Sequence, residues 1–183
     1  TKFLWTAAGW FDYLNLRING LDFHMQLMKG EVPYTDQRVV DVFTKWKELV
    51  EPGYYIENHT SYSWQDAQPF MYQGKAAMYL IGNFIVPNFP KELDGKIGFF
   101  QFPVINPEVG MYEDAPTDLL AIPAKAKNKK DARVFLAYVS QAKIVRQLND
   151  ALKQLPTHKD AGVGDDYFLE LGNKMLSASD GTA

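Results

Sequence analysis

The chain has 183 residues, 46% of them hydrophobic and 14% aromatic, which is enough apolar material to fill the core of one large domain or two small ones. Nineteen Lys and Arg against 22 Asp and Glu give a net charge of -3 with no basic block or arginine stripe, which argues against a nucleic-acid partner. There are no cysteines, so disulfides and thiolate chemistry are excluded, and no apolar run approaches the roughly 18 residues that a membrane-spanning helix needs.

In chain order, Phe11, Leu14, Ile18 and Leu21 recur at helical spacing and predict a short helix closed by Gly20. Trp10 stands just before it, either as a staple on the core or as an exposed ring. A second helical piece over His24 to Met28 ends at Gly30. Thr35 is a plausible cap for the next helix, whose Val39, Phe43, Trp46 and Val50 form a stripe that stops at Pro52-Gly53. Trp46 lies mid-stripe and reads as a core anchor. After a polar and aromatic loop from Tyr54 to Tyr62, Ser63-Trp64-Gln65-Asp66 has the pattern of a capping box, with Phe70 and Met71 facing inward and Gly74 closing the segment.

Ala76 to Ile81 is an apolar run of strand length, broken by Gly82 so that Asn83 and Phe84 leave its end, where open α/β sheets hold their ligands. Prolines 87 and 90 keep the following stretch irregular. Ile97 to Phe102 and Leu119 to Ile122 read as further buried strands, joined by a 16-residue loop from Pro103 that delivers Thr117 and Asp118. Asn128 caps a helix striped by Ala132, Phe135, Leu136 and Val139. Ser140 starts another carrying Ile144, Leu148 and Leu152, and Asp165 or Asp166 caps a last helix with Tyr167, Leu171 and Met175 on one face. Lys125, Lys127, Lys129 and Lys130 read as a solvated cluster.

Catalytic and metal motifs are missing from the sequence. His24, His59 and His158 lack metal-ligand spacing, and no phosphate loop, dinucleotide fingerprint or nucleophile elbow occurs. Asp66 and Asp118 are the pair that glycoside hydrolysis would require, but each has a plainer role as cap or hydrogen-bond acceptor.

Three stretches, in order, carry a family resemblance. Gly74-Lys75-Ala76-Ala77-Met78, a strand and then Gly82-Asn83-Phe84 resemble the signature of extracytoplasmic sugar-binding proteins of ABC importers, the group related to maltose-binding protein. Ala8-Gly9-Trp10-Phe11-Asp12-Tyr13-Leu14 with Asn19-Gly20 resembles the segment that opens their second lobe. Leu120-Ala121-Ile122-Pro123-Ala124-Lys125-Ala126-Lys127-Asn128 resembles their return strand and next helix cap.

The resemblance implies an α/β fold that is the second lobe of a two-lobed periplasmic-binding-protein architecture, with a central sheet flanked by helices. It places residues 1–118 in the ligand-binding lobe, 119–155 in a crossover belonging to the first lobe, and 156–183 in a return segment. The first part of the family fold, and some of its C-terminal end, would lie outside these residues. It further implies a non-enzymatic, cofactor-free and metal-free protein that captures a small-molecule sugar and hands it to ABC permease subunits in an extracytoplasmic space, meeting the membrane only through the transporter. Trp10 and Phe84 would supply sugar-stacking rings, with Asn83, Thr117 and Asp118 as hydroxyl partners and Phe11, Trp64 and Asp66 nearby. Phe84 stands where relatives often carry tryptophan, and Pro116-Thr117 replaces a glycine pair common in them. The alternatives are a protein-interaction module built on exposed aromatics and a glycoside hydrolase.

Overall fold

The computed structural model describes residues 2–183. These form two compact units. One runs to Ile81 and takes up again over Phe89–Ala115 and Ala178–Ala183; the other comprises Gly82–Asn88 and Pro116–Ser177. The architecture is mixed α/β and helix-rich, with a small parallel sheet.

In the first unit, helix α1 spans Leu4–Met28 and is broken inside by Gly20, whose φ of 83° and ψ of 174° no helix contains. The two helical pieces expected on either side of Gly20 are therefore present, joined end to end, and the chain turns away after Met28 through Gly30 at φ 74°. The first piece begins two turns earlier than the stripe predicts, so Trp10 lies inside the helix rather than at its entrance. Helix α2, Gln37–Val50, is capped by Asp36, which accepts from the Arg38 backbone N–H, and not by Thr35. Phe11, Leu14, Phe23 and Leu27 of α1 meet Val39 and Val42 of α2 to make the core of this unit. Helix α3, Trp64–Tyr72, starts on the capping box that the sequence predicts: the Ser63 hydroxyl accepts from the Asp66 N–H at 3.1 Å, while Asp66 Oδ2 receives the Ser63 N–H at 3.2 Å.

Among the described residues the sheet has two strands. β1 (Tyr112–Glu113) pairs in parallel with β2 (Gly181–Thr182), Tyr112 opposite Gly181 and Glu113 opposite Thr182. The strands expected over Ala76 to Ile81, Ile97 to Phe102 and Leu119 to Ile122 do not form among the described residues. Strand character is completed by a neighbour's ladder of hydrogen bonds, and an apolar run of the right length supplies only half of that pair. Met78, Phe100, Leu119 and Leu120 in these runs are accordingly exposed.

The second unit contains a 3-10 stretch over Asn83–Asn88 and three helices, α4 (Lys129–Val139), α5 (Ala142–Leu152) and α6 (Tyr167–Ala178). Asn128 caps α4 as expected. Ser140 ends that helix instead of starting α5, whose N-cap is Gln141. Asp166 caps α6 by accepting from the Phe168 and Leu169 N–H groups, and its carboxylate also receives Lys153 Nζ at 2.6 Å.

Candidate functional site

Adjacent residues of α1 point about 100° apart, and this separates Trp10 from Phe11. Phe11 turns into the core, 7% exposed, against the rings of Tyr34 and Phe43. That is a packing position in the core of this unit. Trp10 is half-buried among three aromatic neighbours. Trp46 stacks on one face at 6.4 Å and 18°, while Tyr55 at 5.4 Å and Phe102 at 5.9 Å meet it edge-on. Trp46 Nε1 donates to the Tyr55 hydroxyl at 3.0 Å, fixing the box from behind. The ring leans on the core of this unit from a half-buried position.

Trp64 opens α3 and meets Trp5 edge-on at 6.3 Å, and its carbonyl accepts from the Tyr79 hydroxyl at 2.9 Å. Asp66 is occupied by its cap, taking both the Ser63 N–H and the Ser63 hydroxyl, bonds that hold its carboxyl below the usual range.

The same unit holds a polar network that the sequence reading missed. Arg17, 2% exposed, donates through Nε to the Phe102 carbonyl at 3.0 Å, through Nη1 to the Tyr112 carbonyl and through Nη2 to Glu113 Oε1 at 3.0 Å. Glu113 also receives Gln101 Nε2 at 2.8 Å and, on its other oxygen, the Tyr13 hydroxyl at 2.9 Å. The signal was present in the sequence. Arg17 is three residues after Leu14 and four before Leu21, a charge set on the apolar stripe itself. Beside this network, burial and the neighbouring Asp114 push the Asp12 carboxyl up to about 6, and burial with Glu113 raises Asp114 as well.

In the second unit, Gly82, Asn83 and Phe84 form a tight turn in which the Ile85 N–H returns to the Gly82 carbonyl at 3.2 Å. The Phe84 ring folds back over Gly82 so closely that a Cβ there would stand 2.5 Å from it. A side chain at position 82 would have to push the ring aside, which gives the Gly-x-aromatic pattern a steric cause. The Asn83 amide nitrogen is buried beside Gly172 of α6 and has no hydrogen-bond partner among the described residues. Thr117 and Asp118 lie exposed in a stretch without helix or ladder. The second unit thus sets a ring and an unpaired donor together in one turn, with its other polar candidates open to solvent.

Over residues 2–145 the sequence matches the family of bacterial extracellular solute-binding proteins. Two ABC transporter extracellular-binding proteins of Pyrococcus horikoshii are similar: one is 26% identical over 86% of this chain and 34% of its own length, the other 24% identical over 91% and 37%. Among solved structures, the bacterial solute receptor AcbH superposes with a TM-score of 0.87 and 32% identity, covering 97% of this chain and 46% of that one, and is described as exclusively preferring β-D-galactopyranose. The chain spans about a third of the length of the curated relatives it matches. Because that family match takes in most of its residues, this chain belongs to the bacterial extracellular solute-binding protein family.

Proposed function

We propose that the chain is the ligand-holding part of the solute-binding component of an ABC importer, and that its ligand is a sugar. A pyranose offers a face of axial hydrogens and a rim of hydroxyls, so a site for it needs a flat apolar ring with a hydrogen-bonding group alongside. The turn at Gly82–Phe84 supports this reading most directly, because an aromatic ring and a buried, unpaired amide donor occupy neighbouring positions. Covering about 50 Å² of ring contributes roughly 1 kcal/mol at 25 cal/mol per Å².

Trp10 of the first unit is a stacking ring in this reading, and Thr117 and Asp118 of the second unit are further hydroxyl partners. Residues 1–118 then act as the ligand-binding lobe, 119–155 as a crossover to a first lobe and 156–183 as a return. The longer protein works in the periplasm or another extracytoplasmic space and passes its ligand to permease subunits without catalysis, touching the membrane only through them. The sugar preference printed for AcbH makes a hexopyranose the first ligand to try.

Calorimetric titration of hexopyranoses into the full-length protein tests this. Phe84→Ala and Asn83→Ala should each weaken binding about fivefold or more, in line with about 1 kcal/mol lost per contact. Unchanged affinity in both variants removes the turn from the site. Loss of a protein partner with sugar binding untouched would favour the interaction-module reading.

A further inference from the structure

We propose that Arg17 is a positioning residue for Trp10, acting through Phe102; the inference deepens the sugar-binding reading above and rests on it for its functional consequence. The segment carrying Gln101 and Phe102 belongs to no ladder among the described residues. It is held by side chains instead: the Phe102 carbonyl by Arg17 Nε at 3.0 Å, and the Gln101 amide by Glu113 Oε1 at 2.8 Å. Glu113 is in turn fixed by Arg17 Nη2 and the Tyr13 hydroxyl.

Once its backbone is pinned, the Phe102 ring has one place to go. It stacks on Tyr13 at 5.0 Å and 12°, with the guanidinium carbon 5.6 Å from the Tyr13 ring centre and 5.9 Å from its own. From there it abuts Trp10 edge-on at 5.9 Å and 81°, opposing the drift of an indole whose stacked partner is Trp46. A planar guanidinium fans its donors from three nitrogens in fixed directions, so it can reach two carbonyls and a carboxylate that lie apart, whereas the three donors of an ammonium radiate from one nitrogen. The buried charge thus does for one extended segment what a neighbouring strand does elsewhere, and the ring geometry depends on it.

The test uses the full-length protein and two readouts. Stacked tryptophans give a far-ultraviolet exciton couplet, and the difference spectrum against Trp46→Phe isolates the Trp10–Trp46 contribution. Removing both charges together with Arg17→Met and Glu113→Gln avoids stranding one buried ion. That double variant should retain a cooperative melt, lose most of the couplet and bind the hexopyranose at least tenfold more weakly. Arg17→Lys keeps a charge for Glu113 but loses the bond to Phe102, and should show an intermediate loss of couplet with the melting temperature little changed. If the double variant does not fold, Arg17→Lys decides alone: a full couplet overturns the proposal. A folded double variant with couplet and affinity both intact also overturns it. Should the wild type bind no sugar while the couplet still falls in the variants, the positioning role stands and the sugar reading fails.

Discussion

The helices of the two units show how little amphipathicity says about burial. α1, broken at Gly20, is enclosed on several sides: Leu14, Leu16 and Leu27 are all but sealed and even Arg17 is buried. α5 carries the sharpest apolar stripe of the molecule, α4 another, and neither contains a buried residue; Phe135 is 57% exposed and Leu148 50%. A stripe states what a helix offers, whereas burial requires something to receive it. In the first unit α2 and the segment after Phe99 receive α1. In the second, Phe135 and Leu136 line an apolar depression of about 190 Å³ with Leu120, Ile122 and Pro123, and the stripe continues beyond it into solvent.

Five substitutions break or sharpen this contrast. Arg17→Ala should have the largest effect, because it strands the buried Glu113 carboxylate without its cation; a loss of about 3–5 kcal/mol is expected in urea denaturation. Next, Leu14→Ala should cost about 2–5 kcal/mol through the cavity it leaves, against less than about 0.5 kcal/mol for Leu148→Ala in this chain. Equal losses at the two leucines would mean that the α5 stripe is covered in solution, and the contrast would fall. Ser63→Ala removes half of the capping box at the head of α3 and should lower stability by about 1 kcal/mol, read as a drop in melting temperature.

The smallest effect concerns pH. The Asp12 carboxyl is raised to about 6 in the folded chain by burial and by Asp114, so the folded state holds a proton that the unfolded state has released. The stability this contributes is complete below pH 3.8 and is lost as pH rises through about 6. Asp12→Asn should therefore match the wild type near pH 4 and exceed it at pH 7.5, by under about 1 kcal/mol since the group is half open to water. A difference that does not change with pH would show that the carboxyl titrates normally.

Much of this was readable from residues alone. The capping box at Ser63, the break at Gly20, the caps at Asn128 and Asp166 and the end of α3 at Gly74 are local devices, in which a side chain or a φ angle acts within four residues of itself. The family was legible for a related reason, since Gly82 is fixed by the ring two positions on. What was not legible depends on distant partners. The three expected strands needed ladders that the chain does not provide to itself. Phe11 and Trp10 could be told apart only once the direction of the core was known. The Arg17 clamp joins residues 17, 101, 102, 112 and 113, a separation that no periodicity reports.

The most direct test of the account is the affinity of the full-length protein for a panel of hexopyranoses, measured by calorimetry with and without Trp10→Ala. The account predicts saturable binding of at least one sugar and a loss of tenfold or more when the indole is removed from its box while the fold persists. Saturable binding that Trp10→Ala leaves unchanged would contradict it.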